Sequence, residues 1–275
     1  MPAARRRLLI DHAATDCDMS SRILHRPLWV TLQIVLALFL AVVVTTAMWW
    51  GFVRGSAAVA AEGISVEAVF AGRPTGPAPD RFDAGQPAQV TGNPDDPGAL
   101  PRIVDGRLTY QPTGKGTAAG FFSTPDLGAP VRTIGARFVF RPGGETAGAI
   151  ALVVSRGVDS NFPPTVRPLP VHFVLTPVNW NVSVTHSVGD PLDLVATGDF
   201  PVPLVEDGTT AYEAQLTING SQLTVDLPMD VHRTISDPRF SEWQGSYANF
   251  ELFANNGSTD SLPAFEKVWA SAAVE

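Results

Sequence analysis

From Pro27 to Val53 the chain runs without a charged residue, PLWVTLQIVLALFLAVVVTTAMWWGFV, and this run divides it into parts that cannot share one environment. As a helix, residues 28–53 would rise about 1.5 Å each, roughly 39 Å in all, against the ~30 Å hydrocarbon core of a bilayer. A helix of a soluble bundle would show a polar stripe at helical period. Here Thr31, Gln33, Thr45 and Thr46 make no continuous face, which favours a membrane segment with the bilayer as its partner. Trp29 at one end and Trp49 with Trp50 at the other stand where amphipathic rings lie, at the headgroup boundaries.

Arg5, Arg6, Arg7, Arg22 and Arg26 precede the run and only Arg54 closely follows it. The positive-inside bias then keeps the N-terminus cytoplasmic and sets the long C-terminal part outside. The expected organisation is a cytoplasmic tail over residues 1–27, a transmembrane helix over 28–53, a linker over 54–62 and an extracytoplasmic domain over 63–275, as in a single-pass inner-membrane protein. Ala58-Val59-Ala60 before Ala61 has the small-x-small form that a signal peptidase accepts, but signal-peptide apolar regions are typically ~7–15 residues long, so a retained signal anchor is favoured. Asp11, Asp16 and Asp18 separate the triple arginine from the apolar run, which disfavours twin-arginine export, and a start at Met19 would itself leave an orthodox short tail.

After Gly55 there are 13 basic and 24 acidic residues, a net charge of −11. That surface excludes nucleic acid as a partner and repels anionic lipid headgroups. Cys17 is the only cysteine and precedes the apolar run, so no disulfide staples the outer domain. With about 210 residues the domain can bury a sufficient core without one. Only Lys115 and Lys267 among the 19 basic residues are lysine, and Ala, Gly and Pro abound, the bias of a GC-rich coding sequence and of an actinobacterial-type cell envelope. In that setting the Asn-x-Ser triplets at Asn181, Asn219 and Asn256 are chance matches.

Past the small-residue linker, apolar residues recur at period two in short runs. They are ISVEAVF (64–70), IGARFVF (134–140), AIALVV (149–154), VHFVL (171–175), WNVSV (180–184), AYEAQLTI (211–218), LTVDL (223–227), YANFELF (247–253) and FEKVW (265–269). These read as half-buried strands. Asn219-Gly220 between two of them is the strongest hairpin signal, for a type I′ turn with positive φ at both central positions. Gly and Pro, 24 of each, discourage any helix longer than a turn or two, and residues 72–101 read as a long surface loop. The expected fold class is all-β, two stacked antiparallel sheets. Two small sandwiches divided near Pro163-Pro164 are the alternative.

Arg81-Phe82-Asp83, Val104-Asp-Gly-Arg-Leu-Thr109, Ser123-Thr-Pro-Asp-Leu127 and residues 134–140 resemble the opening strands of concanavalin A-like lectin/glucanase sandwiches. Asp237-Pro-Arg239, Phe250-Glu-Leu-Phe253 and a closing run from Phe265 to Ala270 resemble the end of that fold, where the last strand returns beside the first. The resemblance covers residues 64–275 and rests on pattern and spacing. It implies a two-sheet antiparallel jelly-roll sandwich, a fold that hosts binders and hydrolases alike.

Glucanases of that superfamily set alternate carboxylates on one strand face as Glu-x-Asp-x-Glu, and this chain has no such run. Glu67, Glu213, Glu251 and Glu266 stand alone in their strands, each expected on a solvated face, and Asp190 with Asp193 is expected in a turn. No Gly-x-Ser-x-Gly elbow occurs, and His172, His186 and His232 lack zinc spacing, so they read as packing or surface groups. Calcium is the fitting ion, with hard oxygen ligands at Asn93, Asp95 and Asp96 and again at Asn255, Asn256 and Asp260. For a sugar, Trp180, Trp243 and Tyr247 are the aromatic candidates, with Glu242, Gln244 and Asn249 as hydroxyl partners; Trp180 and Trp269, which alternate with apolar neighbours, are expected in the core. The expectation is a membrane-anchored, lectin-like, non-catalytic binder of envelope glycan or of an envelope protein. The alternatives are an accessory subunit of a membrane complex and a glycan hydrolase.

Overall fold

Alternation at period two turns each run into a ribbon with one oily and one wet face, and stacking two sheets buries many oily faces at once. A computed structural model shows this arrangement and describes residues 64–273 apart from 93–97, 112–117, 143–147, 158–170, 186–192, 243–244 and 255–262. The tail, membrane segment and linker expected over 1–62 lie outside the described residues. Among the described residues no helix is long and apolar enough to cross a membrane.

The strands are β1 (Ser65–Val69), β2 (Gly76–Pro77), β3 (Gln89–Thr91), β4 (Arg102–Val104), β5 (Arg107–Thr109), β6 (Ala118–Ser123), β7 (Val131–Val139) and β8 (Ala149–Ser155). They continue as β9 (Val171–Leu175), β10 (Asn179–Val184), β11 (Asp193–Asp199), β12 (Ala211–Asn219), β13 (Gln222–Leu227), β14 (Val231–Ser236), β15 (Tyr247–Ala254) and β16 (Ala264–Ala272). One antiparallel sheet has nine strands in the order β14-β13-β12-β7-β16-β5-β4-β2, with β1 also beside β16; the other has seven, β11-β10-β9-β8-β15-β6-β3. The closing strand does return beside the first, Ser65 facing Ser271 and Val69 facing Lys267. Both sheets draw strands from each side of Pro163-Pro164, β8 pairing directly with β9, so the two-sandwich alternative fails.

Between the sheets lies one core. Phe122 of the seven-stranded sheet meets Phe70 edge-on at 5.5 Å and Phe82 at 5.0 Å, and Phe250 meets Phe265 of the nine-stranded sheet at 6.3 Å. Each such fully buried side chain stabilises the fold by roughly 1.5–3 kcal/mol. The unbroken apolar run AIALVVS of β8 is buried on both faces, as a central strand of such composition should be. Beyond β14, a 3-10 turn over Pro238–Glu242 sinks Phe240 into the core. Arg239 there binds Asp237 at 2.6 Å and Asp193 of β11 at 3.0 Å, tying the edges of the two sheets together. Hydrogen bonding to Asp237 and the charges of both aspartates hold its guanidinium above its ordinary pKa.

Several expectations are corrected. The loop expected over 72–101 contains β2 and β3, and Asp193 opens a strand instead of standing in a turn. The hairpin at Asn219-Gly220 exists, but Asn219 pairs with Gln222, so Gly220 and Ser221 are the central residues. Gly220 has φ +57° and Ser221 is not among the positive-φ residues, a type II′ pattern. Positive φ at both central positions occurs instead at Asp105-Gly106, +50° and +72°, in the turn joining β4 to β5.

Trp269 was expected in the core and stands on the outer face. A bulge between Phe265 and Lys267 shifts the parity of β16, so Phe265, Val268 and Ala270 point inward and Lys267, Trp269 and Ser271 outward. Trp180 is in the core as expected, its ring packed over Gly198.

Candidate functional site

In the seven-stranded sheet the residues whose parity points away from the core form rows that run from strand to strand. One row is Gln89, Ser123, Asn249, Val153, His172 and Ser183, across β3, β6, β15, β8, β9 and β10. The neighbouring row is Thr91, Phe121, Glu251, Ala151, Val174 and Asn181. An outward face rich in polar groups is ordinary; one whose polar groups are withdrawn from water is not. Here Ser123 and Asn249 are fully buried, and the side chains of His172 and Glu251 keep only 16% and 11% of their exposure.

The hydrogen bonds explain most of that burial. Asn249 Nδ2 donates to Ser155 Oγ at 2.8 Å, and Ser155 Oγ donates in turn to the carbonyl of Gly157. Glu251 on β15 and His172 on β9 flank β8 and join across it, His172 Nε2 lying 3.0 Å from Glu251 Oε2. The small outward residues Ala151 and Val153 of β8 leave the room this bridge needs. The exceptions are Ser123 Oγ, Thr91 Oγ1 on the adjacent strand and Gln86 Oε1 just before that strand, each buried without a hydrogen-bond partner.

Tyr247 and Asn249 come together on this face, two residues apart in β15, Tyr247 half-buried and paired in register with Ser155. Glu242 does not join them: it is exposed at the end of the 3-10 turn, which packs against β12 and β13 of the other sheet. Trp243 and Gln244 lie outside the described residues, as do the calcium candidates Asn93, Asp95, Asp96, Asn255, Asn256 and Asp260 and the histidine His186. Among the described residues no three His, Cys, Asp or Glu gather as a metal would require.

Glu251, expected on a solvated face, is instead the buried partner of His172. The other strand glutamates stand on the outer face of the nine-stranded sheet, each in an ion pair. Glu266 receives Arg107 at 2.9 Å and Arg137 at 3.1 Å, Glu213 receives Arg137 at 3.4 Å, and Glu67 receives Lys267 at 2.8 Å. Sequence reasoning missed Ser123, His172 and Glu251 as members of one face. The parity of Asn249 and Glu251 was visible, but β6, AAGFFS, has no alternation to mark it as their neighbour.

No family model and no curated protein sequence matches the chain. Among solved structures it is similar to the potassium-bound carbohydrate recognition domain of Emp46p, at 14% identity and a TM-score of 0.49, over 68% of this chain and 89% of that one. It is similar to the legume lectin-like domain from Entamoeba histolytica at 9% identity and a TM-score of 0.48, over 68% of this chain and 90% of that one. Lectin II from Ulex europaeus matches at 11% identity and a TM-score of 0.48, over 77% of this chain and 99% of that one. All these scores fall below 0.5, and they carry nothing about the chemistry of this chain.

Proposed function

We propose that the sandwich is a non-catalytic, lectin-like carbohydrate-binding domain that takes its ligand on the outward face of the seven-stranded sheet. The observation that carries this reading is Ser123 Oγ, a buried hydroxyl without a partner, set beside Asn249 in a polar row. An unsatisfied buried polar group costs roughly 1–3 kcal/mol, and a hydroxyl of a bound sugar would recover it. His172, Glu251 and Tyr247, which retain some exposure, would form the approach. Among the described residues, β3, β6, β15, β8, β9 and β10 contribute one carboxylate, Glu251, which is held by His172, and the next on this side, Asp199, lies on the edge strand β11, four strands from β15, so these two are not placed as the acid and nucleophile pair of glycoside hydrolysis.

In this reading the apolar segment 28–53 anchors the domain to the inner membrane of an actinobacterial-type cell, with the N-terminus cytoplasmic and the domain outside, where envelope glycan is its ligand. Protease added to intact spheroplasts would then digest the domain; its survival would overturn that placement. Calcium at Asn93, Asp95 and Asp96, directly after β3, belongs to the same proposal, and calorimetric titration of the full chain with Ca²⁺ tests it, absence of heat removing the ion from the reading.

The binding test is a neutral-glycan array probed with the full-length chain and with Ser123→Ala, a change that removes a group with no partner and therefore leaves folding intact. Ser123→Ala and His172→Ala should each weaken binding about five- to tenfold, the loss of one hydrogen bond. Binding unchanged in both would sink the reading.

A further inference from the structure

On the opposite side of the molecule, the outward residues of the nine-stranded sheet form their own cross-strand row, Glu67, Trp269, Gly135, Gln215, Asp226 and His232, over β1, β16, β7, β12, β13 and β14. A groove of about 450 Å³ opens over the β12, β13 and β14 end of this row, bounded by Trp269 on one side and by Pro228, Met229 and Asp230 on the other. That volume is within the ~300–1,000 Å³ of small-molecule sites. We propose that this groove is a second saccharide site, separate from the seven-stranded face and accepting an uncharged sugar unit.

The chemistry follows from which atoms are already used. Trp269 Nε1 donates to Gln215 Oε1 at 3.0 Å, so the amide nitrogen of Gln215 is left as a donor. His232 Nδ1 lies 2.7 Å from Asp226 Oδ1, which leaves Asp226 Oδ2 as an acceptor and His232 Nε2 as the second ring nitrogen. Arg137 takes Glu213 Oε1 at 3.4 Å and leaves the other oxygen. Gln215, Asp226, His232 and Glu213 are thus each fixed by one bond and offer another atom, and the offered set mixes donors with acceptors. Anions would meet Glu213, Asp226 and Asp230, all lining the groove, while a simple cation would have no use for the Gln215 donor. Sugar hydroxyls, which donate and accept at once, satisfy both, and the indole edge with Pro228 and Met229 supplies apolar contact.

Met229 and Asp230 on the groove wall hold left-handed φ, +63° and +55°, as residues of the turn that joins β13 to β14. Met229 is also nearly half exposed.

The test titrates the full-length chain in detergent with mannan, dextran and galactan oligosaccharides, alongside Gln215→Ala, His232→Ala and Ser123→Ala. Two sites give two binding phases, one weakened about five- to tenfold by Gln215→Ala and by His232→Ala, the other by Ser123→Ala. A single phase that responds to Ser123→Ala and ignores the groove variants overturns the second site and leaves the seven-stranded face standing. A single phase that responds only to the groove variants supports the groove and overturns the other face. Titrations without heat for all three sugars overturn both.

Discussion

The indole of Trp269 lies on Gly135 of the neighbouring strand, so close that a Cβ at residue 135 would stand 2.4 Å from Cε2 and Cζ2. The glycine serves as the floor of the ring, and the ring shields the backbone that the missing side chain leaves open. This pair positions the groove, because the same ring donates to Gln215 one strand further on.

Gly135→Ala should therefore destabilise the domain by about 1–3 kcal/mol, the cost of forcing a packed group aside. Urea unfolding of the variant checks the size. Binding at the groove should fall with it, whereas Trp269→Phe should keep most of the stability and lose the tie to Gln215.

Ser123→Ala should leave the unliganded domain as stable as the parent or more stable by about 1 kcal/mol, since it removes a buried hydroxyl that has no partner. Asn249→Ala should behave oppositely and cost roughly 1–3 kcal/mol, because Asn249 is fully buried and bonded to Ser155. The contrast between neighbours facing each other in register is measurable by denaturant unfolding.

Gly220 has φ +57° with nothing near its missing Cβ, so Gly220→Ala meets only backbone strain. The expected cost is about 1 kcal/mol. At Asp105, φ +50°, Asp105→Asn should be near neutral, since asparagine tolerates the same conformation. Thermal melts of the two variants separate the turns.

Asp207 accepts from the backbone N–H groups of Thr210 and Thr209 and from the Thr210 hydroxyl, and its carboxyl lies well below the ordinary 3.8. Asp126, bonded by Ser246 and by the Gly128 N–H, is lowered in the same direction. A carboxyl that titrates lower when folded stabilises the fold fully above its unfolded pKa and loses that effect as pH falls through the folded value. Stability should hold at neutral pH and decline below about pH 4. Asp207→Asn should flatten the decline, as urea midpoints measured from pH 6 to pH 2 would show.

Period-two alternation is local, and it was enough to mark β1, β7, β9, β10, β12, β13 and β15 and to make the domain a stack of antiparallel sheets. Where alternation fails, in AAGFFS of β6 or across the bulge of β16, the sequence left a strand unmarked or set Trp269 on the wrong face. Asn249 and Tyr247 could be read as sharing a face because parity is carried by the chain itself. That Ser123 is the neighbour of Asn249, that His172 reaches Glu251 across β8, and that Trp269, Gln215 and Asp226 fall in one row were decided by register alone. A strand's own residues fix which side chains point the same way. Which strand lies beside it, and at what offset, is settled only when segments far apart in the sequence bury their apolar faces together.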